Sequence, residues 1–385
     1  MVSEKRPAGA NTSVMNDIWG EVCKTFGSDG LFEADGPFIS DAAPESSGSA
    51  VLDDALGIWG YPKGRIIQLA GQESSGKTLM ALMAIREWQR KAPHNWAVFI
   101  DAEYTFVPSW AQQLGVDLSR LRIIKKNAGA EIFTRLNGSP PKDFGKAKTK
   151  LGILDQVIAN GGADKSGMGI IVLDSMAAIQ PPQEALSEAG KQNVAPEARF
   201  LPPELRKLIP LIEASNVVFI AINQVRVQIG QMYGDPYSTP GGKAWKHHIA
   251  VMVNFAKINK QDTLILGTDD VPIGHRIRAR IDKNKVSPPF RVCEFDIKYT
   301  EGLVNQYKEI GELAIKYHVV ERPNQAMYTY KGETLARGKD NFYEKIKSNS
   351  SFQDELFALI KEAKKAGIKS DAIIEKPTEY DDTEE

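Results

Sequence analysis

The stretch Gly71-Gln72-Glu73-Ser74-Ser75-Gly76-Lys77-Thr78 carries the spacing G-x-x-x-x-G-K-T. Its glycines let backbone amides turn inward around a phosphate, and a helix opening at Leu79 points its positive end at the same anion. In such a loop the lysine binds the β/γ-phosphates and the threonine hydroxyl ligates Mg²⁺. A Gly-rich turn without a ligand is the plain alternative. Here the motif follows the apolar run 66–70 and precedes a helical pattern, which is the context phosphate binding requires.

A metal shell at such a loop needs a second acid. The run Gly169-Ile170-Ile171-Val172-Leu173-Asp174-Ser175 ends in Asp174. A buried strand ending at the carboxyl edge of a sheet sets its last acid beside the phosphates, although strands also end in Asp simply to cap a helix. Phe99-Ile100-Asp101-Ala102-Glu103 closes another apolar run in two carboxylates. Glu103, just past the strand end, is the better-placed general base for water; a solvated loop acid is the alternative. Asn223-Gln224 ends a third run. An amide there can bond a γ-phosphate and reshape the following loop when the phosphate leaves, but taken alone it is not diagnostic.

These residues must be held by elements. Apolar, β-branched runs at 65–70, 96–101, 169–174, 217–224, 250–258, 276–282 and 291–298 read as strands. Helical patterns at 77–90, 107–114, 148–160 and 203–214 alternate with the earlier ones. Alternation of this kind predicts an α/β fold with a mostly parallel central sheet, extended at one edge by closely spaced antiparallel strands. Upstream, residues 1–14 lack periodicity, 14–26 have helical spacing, Leu31-Phe32-Glu33 suggests a short strand, and the Ser-, Ala- and Pro-rich stretch 40–50 reads as a linker. Residues 127–168 are too long for an ordinary connection and read as an insertion. From Leu303 the texture changes to a small α+β region, with helices at 309–317 and 352–366 and strands around 326–330. The expected division is an N-terminal arm and linker (1–50), an ATPase core (51–302), a C-terminal domain (303–370) and an acidic tail (371–385).

The 385 residues are 42% hydrophobic and 25% charged, as in ordinary soluble domains. No apolar stretch approaches membrane-helix length, and Lys5 and Arg6 precede no apolar signal region. Two cysteines, Cys23 and Cys293, are too few for a disulfide framework or a zinc module, so a cytoplasmic setting is expected. The net charge of −1 argues mildly against a nucleic-acid partner, so any such site must be local. Lysines dot residues 308–369, as a guide for duplex DNA or as a solvated face. The last nine residues hold five acids, as a competitor for that surface or as a solubilising tail.

Together these motifs resemble the RecA family of homologous recombinases. Gly64-Arg65-Ile66 leading into Gly71–Thr78 resembles its phosphate-loop strand. Phe99–Glu103 resembles the segment with the catalytic glutamate. Ile220-Ala221-Ile222-Asn223-Gln224-Val225-Arg226 resembles the strand with its glutamine switch. Lys283-Asn284-Lys285-Val286 before Pro289-Phe290 resembles the segment whose lysines reach a neighbouring subunit's ATP. The similarity runs from about residue 15 to 370, and the insertion near 130–165 suggests a phage-encoded member.

The resemblance implies a RecA-type core with an N-terminal helix-strand polymerisation arm and a small C-terminal domain. It implies ATP and Mg²⁺ as ligands, with Gly71, Gln72, Glu73, Ser74, Ser75, Gly76, Lys77, Thr78, Leu79 and Asp174 around the phosphates and metal. Trp110 and Tyr299 would lie at the base; a buried core tryptophan is the alternative for Trp110. Glu103, Lys77, Gln224, Lys283 and Lys285 would act in hydrolysis. A first DNA loop would span 184–194, with Arg199 and Arg206 on the helix beyond. A second would span 225–242, with Arg226, Gln228, Ile229, Gly241 and Gly242; without the resemblance it would equally suit a substrate lid. The implied partners are single-stranded DNA, double-stranded DNA, further copies in a helical filament, and single-strand-binding and mediator proteins. A hexameric DNA motor or a regulatory ATPase on the same fold is the rival reading. Departures are visible too: Val107 replaces an acid near the base, His247 replaces an aromatic, and Pro196, Pro202 and Pro203 are expected to interrupt a helix that is continuous in the family.

Overall fold

The architecture is that of a computed structural model, which describes residues 44–133, 152–182, 196–227, 237–238, 242–258 and 263–367, together with Ile18, 20–22 and 24–25. The chain divides into two units, Met1–Ala42 and Ala43–Glu385. In the first, the described residues are helical, as the spacing at 14–26 predicts, and Ile18 is exposed. The expected strand at Leu31-Phe32 and the acidic tail lie outside the described residues.

A ten-stranded sheet organises the second unit. Its strands are β1 (Arg65–Gly71), β2 (Trp96–Asp101), β3 (Leu121–Ile124), β4 (Met168–Asp174), β5 (Val218–Gln224), β8 (Val251–Lys257), β9 (Leu264–Leu266), β10 (Pro272–Asn284), β11 (Val292–Lys298) and β12 (Gly302–Val304); β6 (Arg226–Val227) and β7 (Tyr237–Ser238) form a separate two-stranded ribbon. The order is β12-β11-β10-β8-β1-β5-β4-β2-β3, with β9 on β10. From β8 to β3 all neighbours run parallel; β9 to β12 add antiparallel pairs at one edge. Central strands such as β4 are buried along their whole length because helices cover both faces, which is why they read as unbroken apolar runs. The helix Lys77–Lys91 lies in the core on one face, and Pro196–Ser215 in the core on the other.

Two expectations need correction. Prolines 202, 203 and 210 sit inside one continuous helix, Pro196–Ser215, so the interruption expected at Pro202 and Pro203 does not occur; Pro196 is that helix's first residue, and 183–195 before it lie outside the described residues. Leu201, Leu205, Leu208 and Ile212 on its inner stripe are fully buried. Each stabilises by about 2 kcal/mol, the scale of an interior proline's penalty of about 3. Within the expected insertion, the helical pattern at 148–160 is met by the helix Ile153–Asn160, followed by the short helix Ala163–Ser166; 134–151 lie outside the described residues.

The second correction concerns the expected linker. Its described part, 44–50, is not a spacer: Glu45, Ser47 and Ser49 are almost fully buried. Ser49 caps the helix Ala50–Leu56, accepting from the Leu52 amide, and donates 2.8 Å to Glu309 Oε2. Asp53 accepts from the Ser47 amide and hydroxyl and from Ser46. Asp54 receives the Lys316 and Lys364 ammoniums, each at 2.7 Å, and the Tyr317 hydroxyl at 2.6 Å. Ser49 and Asp54 therefore fasten the core to the C-terminal region, while Ser46, Ser47 and Asp53 brace the turn that holds them. That region contains the helices Gln306–Lys316, Lys339–Lys347 and Ser350–Lys365 and a three-stranded sheet, β13 (Glu321–Asn324), β14 (Met327–Tyr330) and β15 (Glu333–Arg337), around its own core with Tyr328 stacked on Phe342. Among the described residues no helix is long and apolar enough to cross a membrane.

Candidate functional site

β1 lies between β8 and β5, so its carboxyl end delivers Gly71 to the middle of the sheet edge. The loop then turns through Ser74 (φ 59°) and Gly76 (φ 87°) into the helix that starts at Lys77. A Cβ on Gly76 would lie 2.5 Å from Ile277 Cδ1, so space as well as backbone conformation selects glycine there. Gln72, Glu73 and Ser74 face solvent, while Ser75 and Lys77 are buried. The Lys77 ammonium lies inside the loop, donating to the Gln72 carbonyl at 2.5 Å and to Ser75 Oγ at 3.5 Å. Burial lowers its pKa, opposed by the negative charges of Asp174, Glu103 and Glu73.

Thr78 Oγ1 donates 2.7 Å to Asp174 Oδ2, which joins the two expected metal ligands directly. Asp174 is 6% exposed. Its pKa is raised to about 6, chiefly by burial and further by Glu103 and Asp101, against the Thr78 bond and the Lys77 charge. A hydroxyl and a buried, charge-stressed carboxylate fixed together suit a hard cation such as Mg²⁺, whose charge relieves that stress.

Glu103 takes two donors on one oxygen. Ser175 Oγ, one residue beyond β4, donates to Oε1, and Gln224 Nε2, at the end of β5, donates to the same atom at 3.3 Å. Because β5, β4 and β2 are neighbours, their carboxyl ends bring Gln224, Asp174-Ser175 and Glu103 together. Downstream of Gln224, the Val225 amide donates 3.2 Å to the Gly71 carbonyl. Ser175 was not singled out from sequence; the signal was its place after Asp174 at a strand end. Asp101 is likewise structural here: its carboxylate accepts the Thr105 and Phe106 amides, both at 3.0 Å, and so fixes the loop after Glu103.

Beside the loop lies a pocket of about 550 Å³ lined by Ser74, Lys77, Thr78, Trp110, His275 and Tyr299, among others. Trp110 is half-buried at its wall, packs against the core on its inner side and donates Nε1–H to the Tyr299 carbonyl at 2.7 Å. His275 Nδ1 is 3.3 Å from the Tyr299 hydroxyl; burial, then Lys257, lowers its pKa. His275 had no sequence signal, being a lone histidine in a strand. Its place in the pocket follows from β10 crossing beside β8. Val107 is half-exposed at the start of Pro108–Gln113.

Lys283 and Lys285 lie elsewhere. β10 pairs Lys283 with Met252 and Asn284 with Val251, at the start of β8, whereas Gly71 is in register with Phe255 further along β8. The lysines thus occupy the amino edge of the parallel strands and the phosphate loop the carboxyl edge. Their ammoniums cap the helix Gly242–His248, Lys283 on the Lys246 carbonyl and Lys285 on the His247 carbonyl at 3.0 Å. That helix is tied to the phosphate-loop strand through Trp245 Nε1, which donates to Gln68 Oε1. Arg199 and Arg206 are exposed on Pro196–Ser215. Arg226 lies in β6, paired with Ser238 of β7, and Gly242 opens its helix. Gln228, Ile229, Gly241 and the first expected DNA loop lie outside the described residues.

A parallel sheet whose central strand feeds a G-x-x-x-x-G-K-T loop, with the loop threonine bonded to a strand-end aspartate one strand beyond its neighbour, defines a P-loop nucleotide-binding core. The family profile of the RecA N-terminal domain matches residues 13–304. Over 344 residues the chain is 37% identical to Protein RecA of Macrococcus caseolyticus, covering 89% of this chain and 88% of that one. It is 37% identical over 336 residues to Protein RecA of Staphylococcus epidermidis (87% and 86%) and 36% identical over 352 residues to that of Staphylococcus aureus (91% of each). The chain belongs to the RecA family of homologous recombinases. These relatives are bacterial, and the phage origin inferred from the insertion finds no support among them.

Proposed function

We propose that this chain is a DNA-dependent ATPase that polymerises into a helical filament on single-stranded DNA, pairs that strand with homologous duplex and exchanges strands, in the cytoplasm. The observation that carries this reading is the Gln224–Glu103 hydrogen bond together with the Val225 amide on the Gly71 carbonyl. One short segment leads from the hydrolytic carboxylate through the phosphate loop to the ribbon of β6 and β7, where the second DNA loop begins.

ATP binds with its phosphates in the loop 71–78 and its base toward Trp110 and Tyr299. Thr78 and Asp174 would hold Mg²⁺, which would supply Lewis-acid stabilisation of charge at the phosphates. Glu103 accepts a proton from the attacking water, and ADP and phosphate leave. Gln224 exchanges its bond to Glu103 for the γ-phosphate, so the nucleotide biases the ribbon between gripping and releasing DNA. The register of β10 supports a contact in trans: Lys283 and Lys285, on the far edge of the sheet, serve the nucleotide of the adjoining subunit. A heterologous contact of that kind propagates as a filament unless its rotation closes. The helix at 14–26 belongs to the arm that docks on the neighbour. Arg199, Arg206, Arg226, Gln228, Ile229, Gly241 and Gly242 face DNA. Lysines of 308–369 other than Lys316 and Lys364, which Asp54 engages, guide duplex DNA, and single-strand-binding and mediator proteins regulate loading. The domain division at 50, 302 and 370 goes with these roles, with the segment from 44 onward grouped with the core.

Electron microscopy with single-stranded DNA and a non-hydrolysable ATP analogue tests the reading. Open helical filaments are expected; closed hexameric rings would instead make the chain a ring motor.

A further inference from the structure

The nucleotide pocket is unequal at its two ends. At the phosphate loop, Ser75 and Lys77 are buried and Thr78 is bonded to Asp174 at 2.7 Å. At the other end Trp110 is half-buried and Tyr299 is 40% exposed, so a base resting there keeps much of its edge in water. The polar atoms of that end are engaged with one another. Trp110 Nε1–H is spent on the Tyr299 carbonyl at 2.7 Å, and the Tyr299 amide on the Ile273 carbonyl at 2.9 Å. The Tyr299 hydroxyl is 3.3 Å from His275 Nδ1. His275 is 1% exposed, so it backs the tyrosine and presents no surface to a ligand. Apart from the phosphate loop, two polar side chains remain in the lining, Thr105 and Lys257. A hydroxyl turns to donate or to accept as its partner requires. An ammonium only donates, and N7 accepts from it in adenine and guanine alike. Among the described residues no carboxylate or carboxamide lines the pocket.

Telling a 6-amino from a 6-oxo purine takes a fixed donor or acceptor at that edge. A site built with one rejects the wrong partner by about ten-thousandfold or more, because its buried polar group is left unpaired. A site that relies on apolar contact discriminates by about a hundredfold at most. Resting on the placement of the base toward Trp110 and Tyr299, we propose that this pocket holds a nucleoside triphosphate by its phosphates and by aromatic contact without reading the purine's 6-position, so that GTP is a second substrate of the same site. The reaction is the one written for ATP. The water oxygen bonds to the γ-phosphorus, the bridging bond to the β-phosphate breaks, Glu103 takes the water's proton, and GDP and phosphate leave.

The test is calorimetric titration of the full-length protein with the β,γ-imido analogues of ATP and GTP, alongside phosphate release from ATP and GTP with and without a dT oligonucleotide. Dissociation constants within about a hundredfold of each other are expected, with GTP turnover that the oligonucleotide stimulates as it does ATP turnover. A wider gap, or a response to DNA with ATP alone, overturns the proposal. These measurements need no variant, so they decide even where a variant folds poorly. Trp110→Ala separates the two layers. It should weaken both analogues by the same factor, about fivefold or more, as when a base loses its aromatic contact. Unequal weakening makes the indole a reader of the base and overturns the proposal. Wild-type affinity for both analogues overturns instead the placement of the base at Trp110 on which the proposal rests.

Discussion

Gln224 and Glu103 meet at 3.3 Å, the amide nitrogen of one strand end donating to the carboxylate that the next strand but one presents. Glu103 Oε1 also receives the Ser175 hydroxyl. The proposed general base is thus held by two donors from neighbouring strands, and one of them stands at the head of the ribbon of β6 and β7. An amide that leaves this bond for a phosphate alters both hydrolysis and the chain beyond it.

Gln224→Ala should keep ATP binding within a few-fold of wild type while losing the stimulation of hydrolysis by single-stranded DNA. Parallel measurements of nucleotide affinity and of turnover with and without DNA check this; full stimulation would reject the switch.

Lys77→Ala removes the one buried ammonium inside the loop. Turnover should fall by about a hundredfold or more, as when a fixed charge aimed at a transition state is lost. Steady-state phosphate release reads this directly, and unchanged release would remove the phosphate-loop assignment.

Gly76→Ala combines a left-handed backbone (φ 87°) with a Cβ 2.5 Å from Ile277. Overpacking of this kind costs about 1–3 kcal/mol, to which the strained backbone adds. Loss of nucleotide binding with a lowered melting temperature is expected; a wild-type melting curve would show that the loop relaxes freely.

Asp54→Ala leaves two ammoniums facing each other without their carboxylate. Breaking such a buried pair costs about 3–5 kcal/mol, read as a drop in the denaturant midpoint. The Asp54 pKa is lowered despite desolvation, its largest influence, because Lys364 and Lys316 outweigh it. Its contribution is present above the ordinary carboxyl value and disappears as pH falls through the lowered one.

Glu309 has the opposite sign. Burial raises its pKa to about 8 from an ordinary 4.5, against bonds from Ser49 and the Val51 and Ala50 amides. Between those values the folded chain binds more protons than the unfolded one, so stability falls as pH rises from 4.5 through 8. Glu309→Gln should flatten that fall in melting temperature; a slope equal to wild type would place the sensitivity elsewhere.

Much of the candidate site was legible because four of its residues stand at the ends of apolar runs, and a strand's end is where a parallel sheet exposes chemistry. Gly71, Asp174, Glu103 and Gln224 all announce themselves that way. His275 and Ser175 did not, since their roles depend on which strand lies beside which. The stretch 44–50 was misread because serine serves equally in a linker and in a buried knot. Only the distant partners Glu309, Lys316 and Lys364 decide between them. Pro202 and Pro203 misled for a related reason: tertiary burial of Leu201 and Leu205 overrides a local helix-breaking preference.

The Asp54 knot also bears on how the protein is made. Its aspartate leaves the ribosome 310 residues ahead of Lys364. At translation rates of about 5–20 residues per second, that is a wait of roughly 15–60 s. During this interval the nascent core carries Ser49 and Asp54 without their C-terminal partners. A chain stopped before residue 306 would be released with that seam open, so even a complete nucleotide site would be borne by an unfinished fold.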